Sequence, residues 1–235
     1  MKEIIEEFYE KEYYKTLPTE LCVLMNKYGS DKGTQNKGRG NYTKLYNFLF
    51  SEIKDKIKNV FEVGLGTNYT DVPSSMGIDG VPGASLRGWR EYFTNANIYG
   101  ADLDRRILFQ EERIKTFFVN QFDKKTINDL WFELENIEFD IIIDDGIHDV
   151  SFDNKSGNKI FFENSIHKLK KNGFYIIEDV AIDSKGDNIS ELALSFVNEL
   201  KSGDYGHFNY VKLVKVPAFD DNGGFRNTQI ILIKK

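Results

Sequence analysis

The chain has 235 residues, a formal net charge of −6, 40% apolar and 14% aromatic residues, and one cysteine, Cys22. The length suits one domain of ordinary size with a small appendage, and this apolar content can build a large core, which argues against a disordered chain. The acidic balance argues against binding along a nucleic-acid backbone, and a single cysteine cannot form an intramolecular disulfide, which suits a reducing compartment.

The sequence indicates neither targeting nor insertion into a membrane. No apolar run approaches the roughly 18 residues that a membrane span requires. Residues 1–7 are too acidic for a signal or transit peptide. We therefore expect a cytoplasmic protein with no membrane span, whose partners are small molecules and not nucleic acids. Assembly into a homo-oligomer is left open.

The first 50 residues predict a helical cap. Apolar residues recur at helical spacing until Pro18, and Thr19 is a suitable N-cap for a helical turn over 20–27. A polar, glycine-rich stretch follows over 28–40, and an aromatic helix is predicted over 42–50. We expect residues 1–50 to pack on a sheet. A cap that also closes the active site is the alternative.

From residue 59 the pattern alternates between strands and helices. Apolar runs predict strands over 59–63, 97–102, 115–119, 139–144 and 173–178. Helices are predicted over 85–94, 105–112, 124–134, 156–170 and 189–201, and β-rich runs over 207–216 and 227–234. Helical crossovers followed by a terminal hairpin predict an α/β fold for residues 51–235. The sheet is expected to be mostly parallel, with one antiparallel strand near the C-terminus.

The first predicted strand ends in a glycine turn. Glu62, Gly64 and Gly66 alternate at this point, and the second strand ends at Asp102. Glycines there let the backbone turn tightly and approach a ligand, and a carboxylate after the second strand can accept both ribose hydroxyls. The pattern is typical of the nucleoside-binding half of a doubly wound sheet. A glycine turn and a solvated acid without a ligand are the alternative.

The residues after the glycine turn favour one kind of nucleoside ligand over another. A dinucleotide site has a third glycine that leads directly into a helix, whose N-terminus holds the pyrophosphate. Here Gly66 is followed by a long loop, and the next predicted helix begins at Ser85. A ligand with an uncharged link between nucleoside and tail fits better, and S-adenosylmethionine is one.

Acidic residues and a histidine follow the next two central strands. Asp144, Asp145 and His148 come after the fourth predicted strand, and Glu178 and Asp179 after the fifth. Because the carboxyl ends of parallel strands share one edge, these side chains should converge there, where they need a counter-charge. A divalent cation, a basic side chain or the sulfonium could supply it. We expect His148 to be a general base, with Asp145 and Asp144 as its catalytic partners, and a purely structural histidine is the alternative.

Six short motifs, taken together, resemble a known family. They are YGSDKGT (28–34), FEVGLG (61–66), GASLRGW (83–89), YGADLD (99–104), DDGIH (144–148) and IIED (176–179). In this order they look like the class I S-adenosylmethionine-dependent methyltransferases related to the sugar O-methyltransferases of macrolide biosynthesis, and similar enzymes modify sugars of bacterial surface polysaccharides. The resemblance covers roughly residues 28 to 180. It implies a Rossmann-like class I methyltransferase sheet and S-adenosylmethionine as cofactor.

The resemblance also implies roles for single residues near the cofactor. Glu62, Gly64 and Gly66 would line its methionine and ribose side, and Asp102 would hold the ribose. The other implied contacts are Gln121 and Asp123 near the adenine, Ser85, Arg87 and Asp144 beside the cofactor, and Tyr28, Asp31 and Lys32 folded over it.

The family further implies a metal. Macrolide relatives use a magnesium ion held by acids that align with Asp145 and Asp179, and a histidine base that aligns with His148. They also have an acidic ligand from the N-terminal region, for which the nearest counterpart here is Lys44. The expected function is O-methylation of a sugar hydroxyl, in a nucleotide-linked sugar or glycoside of polysaccharide or natural-product biosynthesis. The alternatives are a small-molecule N-methyltransferase and a non-catalytic or dinucleotide-binding protein.

Overall fold

The protein is organised around one eight-stranded sheet. The computed structural model describes residues 18–33, 42–72, 75–148, 153–180, 190–219 and 225–235. The strands are β1 (Asn59–Val63), β2 (Asn97–Asp102), β3 (Gln110–Glu111), β4 (Ile114–Phe118), β5 (Phe139–Asp144), β6 (Leu169–Ile177), β7 (Tyr210–Phe219) and β8 (Phe225–Lys234). Their order across the sheet is β3-β4-β2-β1-β5-β6-β8-β7.

Most of the helices that the sequence predicts are present among the described residues. The helices of the described residues are α1 (Glu20–Tyr28), α2 (Tyr42–Phe50), α3 (Ala84–Tyr92), α4 (Lys124–Glu133), α5 (Gly157–Ser165) and α6 (Glu191–Ser202). Thr19 caps α1, as expected, by accepting a hydrogen bond from the Cys22 amide. The helical pattern before Pro18 and the glycine-rich stretch over 34–40 lie outside the described residues. None of the described helices combines the length and apolar character needed to cross a bilayer.

The topology confirms a mostly parallel sheet with an antiparallel strand near the C-terminus. Strands β4, β2, β1, β5 and β6 run parallel, and β8 pairs antiparallel with β6. The last residue of β1, Val63, pairs with Ala101 of β2 and with Asp144 of β5. Asp144 pairs in turn with Ile177 of β6. The carboxyl ends of these four strands are therefore level, and the residues that follow them meet at one edge.

The predicted helix over 105–112 is wrong. The chain there forms a 3₁₀ turn, Arg105–Ile107, and then the short strand β3, which pairs antiparallel with β4. The Asp104 carboxylate caps the turn, and the Thr116 hydroxyl bonds to both the amide and the carbonyl of Phe109. Side chains of neighbouring segments thus satisfy the backbone groups that a continued helix would have paired internally.

Helices α1, α2 and α3 cover one face of the sheet, and α4, α5 and α6 cover the other. On the first face, Phe50 of α2 packs edge-on against Phe93 and Phe174, with ring centroids 5.9 and 5.4 Å apart. Buried aromatic pairs of this kind dominate core energetics. The described parts of residues 1–50 thus pack on the sheet beside α3, and the division into a cap and a catalytic domain stays a prediction.

Candidate active site

A cavity of about 810 Å³ opens at the carboxyl edge of the sheet. Its walls come from the glycine turn after β1, the loop after α1, the N-terminus of α3 and the loops after β5 and β6. The predicted site residues that line it are Asp31, Lys32, Gly64, Gly66, Ser85, Asp102, Gln121, Asp145, His148 and Asp179. The cavity therefore joins the predicted nucleoside side to the acidic side.

The glycine turn requires glycine for two reasons. Gly64 and Gly66 have φ values of 93° and 73°, which L side chains rarely adopt. A Cβ on Gly64 would also lie 1.9 Å from the carbonyl oxygen of Asp145. The turn after β1 and the loop after β5 are thus in direct backbone contact, and any side chain at residue 64 would push them apart.

The long loop after Gly66 does not carry α3 away from the turn. The Gly83 amide donates a 2.8 Å hydrogen bond to the Leu65 carbonyl, and Ala84 and Ser85 line the cavity. Sequence distance alone suggested a poorly formed helix N-terminus at the ligand, and the structure corrects this: the loop closes back on itself. The length of the loop therefore does not exclude a dinucleotide.

Asp102 lies at the end of β2, where it organises the turn. Its two carboxylate oxygens accept hydrogen bonds from the amides of Leu65 (2.7 Å) and Asp104 (2.8 Å). Burial raises the pKa of Asp102, although these backbone donors oppose the shift. Carboxylate oxygens have further lone pairs, so the expected contact with a ribose stays compatible with this arrangement.

The acids after β5 and β6 form a rim, which we define as Asp145, His148, Glu178 and Asp179. Its counter-charge is a basic side chain from the N-terminal part of the chain. The ammonium of Lys32, with a side chain only 3% exposed, donates to Asp145 Oδ2 and, at 2.6 Å, to Glu178 Oε2. Burial opposes the charge of Lys32, but the surrounding carboxylates outweigh it and raise its pKa well above the ordinary value.

Two tyrosines of α2 complete the hydrogen bonds of the rim. Tyr42 donates to Asp179 Oδ1, and Tyr46 donates to Glu178 Oε1. The sequence predicted only that the aromatic helix over 42–50 packs on the sheet, and these two tyrosines were not among the candidate site residues. The available signal was their spacing, because residues four apart lie on the same face of a helix.

His148 is placed between two carboxylates of the rim. Its Nε2 lies 3.4 Å from Asp145 Oδ1 and 3.5 Å from Asp179 Oδ2, and its side chain is half-exposed. Burial lowers the pKa of His148, but the hydrogen bond and charge of Asp145 and the charge of Asp179 outweigh it and raise the pKa to about 9. A pKa of this value favours the imidazolium form at neutral pH in the ligand-free protein, and the role of His148 as a general base stays a prediction.

Asp144 differs from its expected role beside the reacting groups, because it lies outside the lining of the cavity. It is fully buried, and its Oδ1 accepts a 2.8 Å hydrogen bond from Gln121 Nε2. The other end of Gln121 accepts a 2.8 Å hydrogen bond from the Ile147 amide. Burial raises the pKa of Asp144 to about 7. Through its contact with Gln121, Asp144 thus supports the loop that carries His148.

Glu62 also lies outside the lining of the cavity. Its carboxylate accepts hydrogen bonds from the Ser85 hydroxyl and the Trp89 indole, which connect β1 to α3. Burial raises the pKa of Glu62, partly offset by the charge of Lys32. The other predicted cofactor contacts outside the lining have partners elsewhere, namely Glu91 for Tyr28, Glu111 for Arg87 and the Lys125 amide for Asp123.

The rim has a donor set that fits a magnesium ion. Asp145, His148 and Asp179 each offer a ligand atom, and these atoms lie within 4.8 Å of one another. Magnesium usually binds one or two carboxylates and keeps several waters. Asp179 also has a left-handed backbone (φ 47°), a conformation that is uncommon outside glycine and concentrates at functional sites. Asp145 and Asp179 would hold the ion.

The fold defines the class. The MycE methyltransferase from the mycinamycin biosynthetic pathway, solved with Mg, SAH and mycinamycin VI, aligns with 100% of this chain and 63% of that chain, with a TM-score of 0.64 and 19% identity. A ribosomal RNA methyltransferase from Plasmodium falciparum aligns with 83% of this chain and 94% of that chain, with a TM-score of 0.52 and 16% identity. The chain therefore has the fold of the class I S-adenosylmethionine-dependent methyltransferases.

In sequence, the chain resembles curated O-methyltransferases of Streptomyces. It is 28% identical over 204 residues to the 8-demethyl-8-α-L-rhamnosyl tetracenomycin-C 2′-O-methyltransferase of Streptomyces olivaceus. The aligned segment is 84% of this chain and 49% of that protein. It is 30% identical over 139 residues to the demethylmacrocin O-methyltransferase of Streptomyces fradiae, 59% of this chain and 31% of that protein. The chain thus spans half the length or less of these curated relatives. No family model matches it.

Proposed function

We propose that the protein is an S-adenosylmethionine-dependent O-methyltransferase whose acceptor is a sugar hydroxyl. The observation that carries the proposal is the contact between the glycine turn and the rim. Because Gly64 touches the carbonyl of Asp145, the predicted cofactor side and the acid–histidine side share one cavity of about 810 Å³. The similarity to sugar O-methyltransferases supports the same class of acceptor.

The described residues fit S-adenosylmethionine. The turn at Gly64 and Gly66 brings bare backbone to the cavity, with Asp102 beside it. When bound, the cofactor supplies a methyl group on a positively charged sulfur, and carboxylates in the lining favour that charge. A volume of this size is within the range of small-molecule sites, which is about 300–1,000 Å³.

The protein's own tasks are to hold the acceptor, exclude water and move one proton. Alignment of the reacting atoms can supply roughly 7–11 kcal/mol of the barrier at the upper end. A sugar hydroxyl is a poor nucleophile near neutral pH, so its proton must leave as the new bond forms. His148 is the base for this step. Because its Nε2 faces the two carboxylates, Nδ1 is the nitrogen left to accept the proton.

His148 must lose its own proton before it can act. In the ligand-free protein, Asp145 and Asp179 hold it as an imidazolium, with a pKa of about 9. A positive charge brought near these carboxylates weakens their hold and lowers the pKa of the imidazole. Binding of the cationic cofactor would therefore prepare the base, and a magnesium ion at Asp145 and Asp179 would add to this effect and acidify the acceptor hydroxyl.

The charge of the cavity favours a glycoside over a nucleotide-linked sugar. Among the described residues that line it, five are acidic, and the basic ones are Lys32 and His148. The Lys32 ammonium is already paired with two carboxylates. A diphosphate is usually bound by several basic side chains or free backbone amides. We therefore propose a sugar without phosphate groups as the acceptor.

Two measurements test this function. S-adenosylmethionine or SAH should raise the melting temperature, whereas NAD should not. Calorimetry should likewise show binding of S-adenosylmethionine or SAH and no binding of NAD. Product mass spectrometry should then show a mass gain of one methyl group on glycosides and none on sugar nucleotides. Absence of any thermal shift and of calorimetric binding with both methionine-derived ligands would overturn the proposal. Methylation of an amine in place of a hydroxyl would correct the reaction type.

A further inference from the structure

We infer that Lys32 is a positioning residue: its ammonium is the resident counter-cation of the rim and leaves Asp145 one oxygen for a second cation. The inference rests on the proposed function only in taking the rim as the place of reaction. Lys32 comes from the loop after α1, and its partners lie 113 and 146 residues further along the chain. The site is therefore completed by a part of the chain that precedes the whole sheet.

The contacts show why the rim needs this ammonium. Lys32 and Glu178 have side chains that are 3% and 0% exposed, and Asp145 is 20% exposed. Two carboxylates that share one buried partner repel each other when that partner is absent, because little water can screen them. Lys32 holds both acids at once, and it thereby fixes the orientation of the Asp145 carboxylate.

The same contacts determine which oxygens face the cavity. Lys32 takes Oδ2 of Asp145 and Tyr42 takes Oδ1 of Asp179. The remaining oxygens, Asp145 Oδ1 and Asp179 Oδ2, lie 3.4 and 3.5 Å from the Nε2 of His148. Each candidate ligand acid thus has one oxygen occupied from the N-terminal side and one directed at the imidazole. Any ion that binds here meets one oxygen from each acid.

This arrangement predicts opposite effects on cation binding for two variants. Lys32→Met removes a positive charge and frees Oδ2 of Asp145, so it should bind Mg²⁺ more tightly. Glu178→Gln removes one of the two acids that offset Lys32, so it should bind Mg²⁺ more weakly. A role limited to holding the fold together would lower the stability of both variants without this opposite order.

Isothermal calorimetry with MgCl₂ on the full chain tests the inference. We expect Lys32→Met to tighten binding on the order of tenfold or more, which corresponds to about 1.4 kcal/mol. Glu178→Gln should weaken binding by a similar factor. Lys125→Met is the matched control, since Lys125 is an exposed lysine paired with Asp129 on α4, and its affinity should equal that of the wild type.

The outcomes separate clearly. Equal or weaker binding by a folded Lys32→Met, or no Mg²⁺ binding by any variant, overturns the inference. If Lys32→Met does not fold, as judged by circular dichroism, the Mg²⁺ affinity of Glu178→Gln decides the test. Tighter Mg²⁺ binding by Glu178→Gln than by the wild type overturns the inference. A failure of the proposed function would be seen elsewhere, as absence of S-adenosylmethionine binding in a separate titration, and it would leave the order of the cation affinities unchanged.

Discussion

Gly64 and Asp145 are in backbone contact across the ends of two neighbouring strands, so close that a Cβ on Gly64 would lie 1.9 Å from the Asp145 carbonyl oxygen. Residue 64 follows the strand that begins the nucleoside side, and residue 145 begins the rim. The distance between the glycine turn and the rim is therefore set by backbone, which has little freedom to adjust.

Gly64→Ala should separate these two segments. The change combines an unfavourable φ of 93° with a backbone clash, so we expect loss of S-adenosylmethionine binding by calorimetry and a clear fall in the melting temperature. Gly203→Ala is the matched control, because Gly203 has the same φ and its nearest neighbour to a Cβ is 3.9 Å away. It should cost only the backbone strain, about 1–2 kcal/mol, and leave binding unchanged. Full binding by Gly64→Ala would contradict the assignment of this turn to the cofactor.

His148→Gln should remove the proposed general base. We expect turnover to fall by about 10²–10⁴-fold, the usual contribution of such a group. The unfolding free energy at neutral pH should also fall, because the variant loses the attraction between the imidazolium and the carboxylates of Asp145 and Asp179. His207→Gln serves as the control and should retain activity. Turnover within a few fold of the wild type would show that another group takes the proton.

The protonation of His148 can be followed directly by NMR in the ligand-free protein. We expect a pKa of about 9, and a lower value in Asp179→Asn, which removes one of the acids that raise it. Because the folded pKa is above the unfolded value of about 6.5, the interaction stabilises the protein fully below pH ~6.5. This stabilisation is lost as the pH rises through 9. An imidazole pKa that Asp179→Asn leaves unchanged would exclude the charge of Asp179 as a cause.

Asp144→Asn tests whether Asp144 supports the structure or takes part in the reaction. Asp144 lies outside the cavity, so we expect this variant to keep most of its activity, whereas Asp145→Asn at the neighbouring position should lose most of it. Burial raises the pKa of Asp144 to about 7, above the unfolded value of about 3.9, so stability contributed by its protonated form declines between about pH 4 and 7. Urea unfolding at pH 4, 5.5 and 7 should show a smaller decline in Asp144→Asn than in the wild type.

The central strands and the edge where the acids meet could be predicted because the signal is local. An apolar run that ends at Asp144, followed by Asp145 and His148, indicates both a buried strand and a polar strand end. The short strand β3 could not be predicted in this way, since two residues carry no period and depend on Thr116 and β4. The closing of α3 onto Leu65 was missed for a related reason, because a loop's length does not fix where its ends lie.

The partners of the acids were harder to predict than the acids themselves. Lys32 was placed over the cofactor, and nothing in its neighbourhood indicated contacts with Asp145 and Glu178, which lie far along the chain. Tyr42 and Tyr46 fit the apolar pattern of α2, and only the tertiary structure shows that their hydroxyls reach the rim. Residues whose role depends on long-range pairing therefore stay hidden from sequence patterns.

The position of Lys32 has a consequence for how the site forms during synthesis. The ribosome releases residue 32 early, yet the acids that bind it are added only after four of the five parallel strands. Until β6 is complete, Lys32 lacks its partner Glu178, and Asp179 has not yet been added to the chain. A truncated product that ends before residue 178 would therefore lack two of the four residues of the rim, however well its first strands had folded.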